Sequence, residues 1–142
     1  MDFIFDNNYI FLAGIVALVA ILYFASKEPS FNPQPVERPP QIKADMTLEE
    51  LKPYNGEEKP NVLVAVKGII YDVSSSDFYK KGAAYSVFAG HDASINLAQM
   101  SHSEDLLNKW GSYTLDDDQT GILNDWELTF REKYPVVGMV IV

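Results

Sequence analysis

Asn61-Val62-Leu63-Val64-Ala65-Val66-Lys67-Gly68-Ile69-Ile70-Tyr71-Asp72-Val73 contains two apolar runs separated by a polar pair. Both runs are rich in β-branched residues, which suit a pleated, buried surface, so each reads as a strand. Lys67-Gly68 between them has the length of a two-residue hairpin turn, and Gly68 tolerates the positive φ that such turns require. Upstream, Thr47-Leu48-Glu49-Glu50 is a capping box that starts a short helix, and Pro53 ends it. Downstream, Ser74 to Asp77 reads as loop. Asp92 to Met100 reads as a helix with Asp92 as its N-cap, and Ser103 to Trp110 as a further one. Thr120 to Lys133 carries the longest helical pattern: Ile122, Trp126 and Phe130 recur every four residues, with Leu123 beside them. Trp126 and Phe130 are expected in the core. Pro135 stops that helix, and Val136 to Val142 reads as a closing strand. The expected class is α+β, a small sheet with short helices and no internal repeat.

Composition narrows the function classes. The chain has 142 residues, 47% apolar and 13% aromatic, with a net charge of −9. Asp2, Asp6 and Glu28 against Lys27 give −2 up to Glu28, leaving −7 on the remainder. An acidic surface repels phosphate, which disfavours nucleic acid and anionic lipid and suits a basic protein partner. The absence of cysteine excludes disulfides, zinc fingers, thiolate haem ligation and cysteine nucleophiles.

Tyr9 to Ala25 has no charged residue and is near the lower length limit for a bilayer-spanning helix, with Phe3, Ile4 and Phe5 able to extend it. Tyr9 and Tyr23 stand near its ends, where amphipathic rings favour the interface. A cleaved signal peptide needs a basic start, whereas here Asp2 and Asp6 precede the apolar run, so a retained anchor is expected. Lys27, Arg38 and Lys43 all follow the segment, which places the C-terminal side in the cytosol, or in the matrix of a mitochondrion. Glu28 to Asp45 holds five of the eight prolines and reads as a semi-rigid spacer. The expected organisation is a transmembrane anchor over 1–27, a proline-rich linker over 28–45 and a folded domain over 46–142.

Several ordered motifs in that domain carry a family resemblance. Leu48-Glu49-Glu50-Leu51 with Tyr54-Asn55-Gly56, followed by the hairpin, is similar to the opening of cytochrome b5-like domains. The His-Pro-Gly-Gly ligand motif of true cytochromes b5 is absent, and His91 and His102 are too close in sequence to be their ligand pair. Asp77-Phe78-Tyr79, Gly82-Ala83-Ala84-Tyr85 and Phe88-Ala89-Gly90-His91-Asp92-Ala93-Ser94 instead resemble the membrane-associated progesterone receptor family. Leu123-Asn124-Asp125-Trp126-Glu127, Phe130, Lys133-Tyr134 and Val137-Gly138 match its later motif. The resemblance implies a cytochrome b5-like fold holding haem b, with Tyr85 as the iron ligand. It also implies Tyr79 as hydrogen-bond donor to the ligand oxygen, and Lys133 and Tyr134 in contact with the haem. Two positions depart from the family: Ala84 replaces the usual proline before the ligand tyrosine, and Lys80 replaces a frequent glycine.

A phenolate is a hard donor that favours ferric iron, and catalase uses one. With no second ligand evident, the iron would be five-coordinate, which suits storage, transfer or regulation better than rapid electron shuttling. Plainer readings stand beside these. Tyr79, Tyr85 and Tyr134 are also ordinary partly buried aromatics. Lys133 also suits a helix C-terminus, and His91 is either a sixth ligand or a surface histidine. Asp116-x-Asp118-x-Thr120-Gly121 with Glu127 nearly satisfies a calcium loop, but reads more simply as the acidic start of a helix.

The leading expectation is therefore a membrane-anchored haem carrier, or a regulatory partner of membrane haem enzymes and sterol metabolism. The endoplasmic reticulum is the expected location, with the mitochondrial inner membrane as alternative. The resemblance also implies steroid binding and a haem-dependent dimer. A structural accessory subunit of a larger membrane complex, such as a respiratory one, that has lost haem is the competing reading. No nucleophile–base pair, phosphate loop or zinc motif suggests an enzyme.

Overall fold

The structure is a computed structural model that describes residues 7–26 and 41–142. Residues 1–6 and 27–40, which include the Phe3–Phe5 extension and most of the linker, lie outside the described residues. The chain divides into two units, 1–36 and 37–142.

The first unit contains one helix, α1 (Asn7–Ser26), of 20 residues without an Asp, Glu, Lys, Arg or His. Side-chain exposure is described only for Gly14 to Tyr23, all exposed. Among the described residues no helix is long and apolar enough to cross a membrane. Those ten positions correspond to roughly 15 Å of helix, about half a hydrocarbon core.

The second unit is α+β, as the sequence pattern implies. Its elements are α2 (Leu48–Leu51), β1 (Leu63–Val66), β2 (Ile69–Asp72), α3 (Ser94–Ala98), α4 (Asp117–Lys133) and β3 (Val136–Met139), with three short 3-10 turns. The sheet runs in the order β1-β2-β3, antiparallel throughout. Val66 pairs with Ile69, leaving Lys67 and Gly68 as the two-residue loop, at φ 51° and 73°. Two consecutive positive φ values match the right-handed twist of the strands they join. The strain on Lys67 is offset by anchoring: its N–H donates to Ser94 Oγ at 2.7 Å, and its Nζ meets Asn124 Oδ1 and Glu127.

Alternation along β1 and β2 builds two cores. Val64, Val66, Tyr71 and Val73 face Tyr79, Phe88, Leu97, Leu123 and Phe130. Leu63, Ala65 and Ile70 face Met46, Leu51 and Val137. All four residues of β1 are buried, which is why Asn61–Val66 reads as a continuous apolar run. The second core begins before Met46: Ile42 packs against it, and Ala44 N–H donates to Val137 O at 3.2 Å. Gly138 permits this close approach. A Cβ there would overlap Ala44 O, far inside van der Waals contact, and fall 2.7 Å from Ala44 C. Gly138→Ala is therefore expected to cost about 3 kcal/mol, the upper range for overpacking. Urea unfolding followed by tryptophan fluorescence measures it.

Thr47 and Glu50 form the expected capping box, each capping the other's backbone N–H. Asp116 and Gln119 form a second one at the start of α4, so that helix begins at Asp117 rather than Thr120. Asp116 is thus a cap, and Glu127 lies within the helix, paired with Lys67 and Arg131. Helical spacing scatters these carboxylates around an axis rather than converging them, so this stretch is a helix start and not a calcium loop. Among the described residues no cluster of three His, Cys, Asp or Glu could hold a metal ion.

Two expectations need correction. Ser103 to Trp110 is not a helix: only Glu104–Leu106 forms a single 3-10 turn. Leu107 is extended and Asn108 adopts φ 59°. Tertiary bonds from Asn108 to Asp92 and His91 hold that left-handed residue and win over local helix propensity. Asp92 is not the N-cap of α3, which is Ala93. Asp92 is instead a buried tie whose carboxylate accepts from Ser94 N–H (2.9 Å) and Gly68 N–H (3.3 Å), joining α3 to the hairpin turn. Burial pushes its pKa up, partly offset by these bonds.

Candidate functional site

The candidate site is built on the loop after β2. Ser76 Oγ accepts from Phe78 N–H at 3.3 Å and starts a 3-10 turn, Asp77–Tyr79. The loop closes through Tyr85 N–H to Phe78 O (2.9 Å) and Ala83 N–H to Lys80 O (2.9 Å), and Ser86–Phe88 turns again. Lys80 has φ −71°, an ordinary extended value, so no glycine is needed there. The backbone bonds on either side of Ala84 supply the closure that a proline would have pre-set.

This closure brings Tyr79 and Tyr85 together, with ring centroids 5.8 Å apart. Tyr134, the C-cap residue of α4, joins them: its ring stands edge-on to Tyr79 at 6.2 Å. Phe130, fully buried one turn earlier on α4, contacts both Tyr79 (6.2 Å) and Tyr134 (5.4 Å) and fixes their spacing. Three of the four expected site residues thus share one cluster. Lys133 precedes Tyr134 in the chain but is exposed and makes no ion pair among the described residues.

The three phenols differ in environment. Tyr79 is only 3% exposed. Burial first, then the neighbouring Tyr134 and Tyr85 hydroxyls, hold its pKa well above the ordinary phenol value. It therefore remains protonated and able to donate. Tyr85 is half-buried, with Phe88 at 5.6 Å and Trp126 edge-on at 6.0 Å. Its hydroxyl lies close enough to Tyr79 to influence that group's titration.

The histidines divide differently than the sequence suggests. His91 shares no ring contact with Tyr85 among the described residues. Its Nδ1 accepts from Asn108 Nδ2 at 3.0 Å, which leaves the proton on Nε2, and burial lowers its pKa. It lines an open pocket of about 620 Å3 with Asn55, Ser86, Glu104 and Asn108, with Tyr79 as a shared wall. The imidazole at Tyr85 is instead His102, whose ring lies parallel to Tyr85 at 5.5 Å and to Phe88 at 5.5 Å. No spacing or periodicity in the sequence marks His102, because a loop residue brings it there.

The residues around Tyr85 have the chemistry a haem requires. An iron ligand must be ionisable and reachable, and Tyr85 is half-buried rather than sealed. The ligand oxygen needs a protonated neighbour, which Tyr79 is. A flat macrocycle needs a flat apolar surface, to which half-buried Trp126 beside Tyr85 contributes, and its propionates need a cation, for which exposed Lys133 is unspent. The set fits.

Residues 47–140 match the family model for the "Cytochrome b5-like Heme/Steroid binding domain". The chain is 39% identical over 126 residues to the cytochrome P450 regulator dap1 of Schizosaccharomyces pombe, covering 84% of this chain and 70% of that one. It is 37% identical over 106 residues to human membrane-associated progesterone receptor component 2, covering 72% of this chain but 48% of that longer protein. The solution structure of an Arabidopsis chain described as a steroid-binding protein superposes with a TM-score of 0.63 at 41% identity, covering 70% of this chain and 99% of that one. At that identity the likeness extends beyond fold. The chain belongs to the cytochrome b5-like haem/steroid-binding domain family, alongside the membrane-associated progesterone receptor components.

Proposed function

We propose that this protein is a membrane-anchored haem-binding module whose iron ligand is Tyr85, and that it serves as a haem carrier or as a regulatory partner of membrane haem enzymes. The observation that carries the reading is the convergence of Tyr79, Tyr85 and Tyr134, with the central Tyr79 held protonated. Tyr85 would donate its phenolate to the iron. Tyr79 would hydrogen-bond to that oxygen and lower the cost of ionising it. Tyr134 orients Tyr79 through the edge contact, and Lys133 would pair with a propionate. A phenolate-ligated haem favours the ferric state, which suits holding and handing on haem more than shuttling electrons. The role is one of binding, with no catalysis by the chain itself.

Membrane anchoring rests on the uncharged run from Tyr9 to Ala25 and on the 20-residue helix that contains it. Lys27 and the later basic residues support a cytosolic orientation of the domain, and the endoplasmic reticulum is the membrane we favour. The relative named as a cytochrome P450 regulator supports a haem enzyme as partner.

The test is flotation and transfer. The full chain mixed with phosphatidylcholine vesicles should float with them, resist extraction by high salt, and release ferric haem to an apo-haem protein in solution. A chain that remains in the aqueous fraction contradicts the anchor. A chain that floats but takes up no haem contradicts the carrier reading and leaves the structural accessory role.

A further inference from the structure

The open cavity of about 620 Å3 lies beside the turn that follows Tyr85, and Tyr85 itself does not line it. Its walls come from the corner after α2 at Asn55, the loop that ends at His91, and the turn from Glu104 to Asn108. That volume is in the range of small-molecule sites. His91 is held firmly at its edge. Its N–H donates to Phe88 O at 3.0 Å, and its carbonyl accepts from Ala65 N–H at 3.0 Å, which ties it to β1.

Asn108 decides the tautomer of this histidine. Asp92 N–H needs an oxygen acceptor and finds Asn108 Oδ1 at 2.9 Å. The amide is thereby oriented, with Nδ2 turned to His91 Nδ1 at 3.0 Å. Nδ1 must accept, so the hydrogen stays on Nε2. Burial, and then Lys52, hold the His91 pKa below its ordinary value, so the ring is neutral at pH 7. Asn108 takes φ 59° while making both bonds, a conformation that a non-glycine residue keeps only under constraint. Nε2–H itself has no protein partner among the described residues. A half-buried donor in a cavity calls for an acceptor and turns away a metal cation.

The other polar groups narrow the ligand. Asn55 Oδ1 accepts from Glu57 N–H and Glu58 N–H, both at 2.9 Å, which leaves its Nδ2 end to donate. Ser86 Oγ makes no hydrogen bond among the described residues and can donate or accept. Glu104 makes no ion pair there and can only accept, and it lies close enough to influence the titration of His91. An anion would meet the Glu104 carboxylate. A carbonyl compound would serve the donors and leave Glu104 without one. A hydroxyl group accepts and donates, so neighbouring hydroxyls satisfy both sides. Val87 and Leu107 offer an apolar wall to the carbon skeleton between them.

We propose that this cavity binds an uncharged, polyhydroxylated small molecule of the cyclic polyol or monosaccharide class. His91 Nε2–H donates to one hydroxyl oxygen, and Glu104 accepts from a hydroxyl. The cavity shares Tyr79 with the aromatic cluster, but the inference stands without haem.

The experiment uses the full chain, free of haem, in phosphocholine micelles, which carry no sugar headgroup. The probes are myo-inositol and methyl α-glucoside, followed through the amide and imidazole resonances. At least one probe should give saturable shifts centred on Ser86, His91 and Glu104, with millimolar affinity. Glu104→Gln, a change at an exposed position, should weaken binding about tenfold, the loss expected for one hydrogen bond to a charged group. His91→Phe should abolish it. That variant also loses the bond to Asn108, so Glu104→Gln decides if His91→Phe does not fold. The His91 ring should carry its hydrogen on Nε2. A hydrogen on Nδ1, no saturable shift with either probe, or equal affinity in Glu104→Gln overturns the proposal. Acetate bound in preference to both probes overturns the ligand class.

Discussion

Tyr85→Phe is expected to lower ferric haem affinity by about 100-fold or more and to remove the tyrosinate band. Outer partners of metal ligands alone are worth 10- to 100-fold in affinity, so loss of the donor itself belongs at or beyond the top of that range. The substitution is clean in this setting. The phenylalanine ring keeps the stacked contact with Phe88 and the edge contact with Trp126, at 5.6 and 6.0 Å. Only the hydroxyl of a half-buried side chain is lost, so the unfolding midpoint should hardly move. Haem dissociation, followed by capture in an excess of apo-globin, separates affinity from folding. Faster release with an unchanged midpoint supports ligation, whereas unchanged release removes Tyr85 from the iron.

Phe130→Ala is the largest expected stability loss, about 3–5 kcal/mol. Phe130 is fully buried and meets the rings of Tyr71 (5.3 Å), Tyr79 (6.2 Å), Trp126 (6.4 Å) and Tyr134 (5.4 Å). Truncation removes most of a benzyl group from the junction of α4 with the sheet and leaves a cavity that β2 and α4 can close only in part. The same cavity loosens Tyr79 against Tyr134, so haem affinity should fall together with stability. Phe130→Leu fills most of the space and should cost clearly less. The shift of the urea midpoint at constant slope reads both values. A loss under about 1 kcal/mol for the alanine variant would mean that Phe130 is not the link between core and site.

Features governed by near neighbours in sequence were legible before the structure. Thr47 with Glu50, Lys67 with Gly68, and Phe130 on the inner face of α4 each follow from contacts within a few residues, whereas Trp126, expected in the core, is only partly buried against it. The family resemblance supplied Tyr79, Tyr85 and Tyr134 as a set, and the fold explains why they meet. What remained hidden depends on distant partners. Asn108 breaks an otherwise helical stretch because Asp92 and His91, 16 and 17 residues earlier, hold its side chain. Ile42 and Ala44 sit in a proline-rich segment that reads as spacer, yet they pack on and bond to β3, more than 90 residues away. His102 carried no signal in the sequence because only the folded turn after α3 places it on Tyr85. The acidic run from Asp116 to Glu127 reads two ways in one dimension, and the capping bond from Gln119 N–H to Asp116 Oδ1 decides for the helix.

The measurement that bears most directly on the central claim is the resonance Raman spectrum of the intact chain with one equivalent of ferric haem. The account predicts phenolate modes enhanced by excitation into a tyrosinate-to-iron band, present in the native protein and absent from Tyr85→Phe. A haem complex that lacks these modes, or that keeps them in the variant, would contradict ligation by Tyr85.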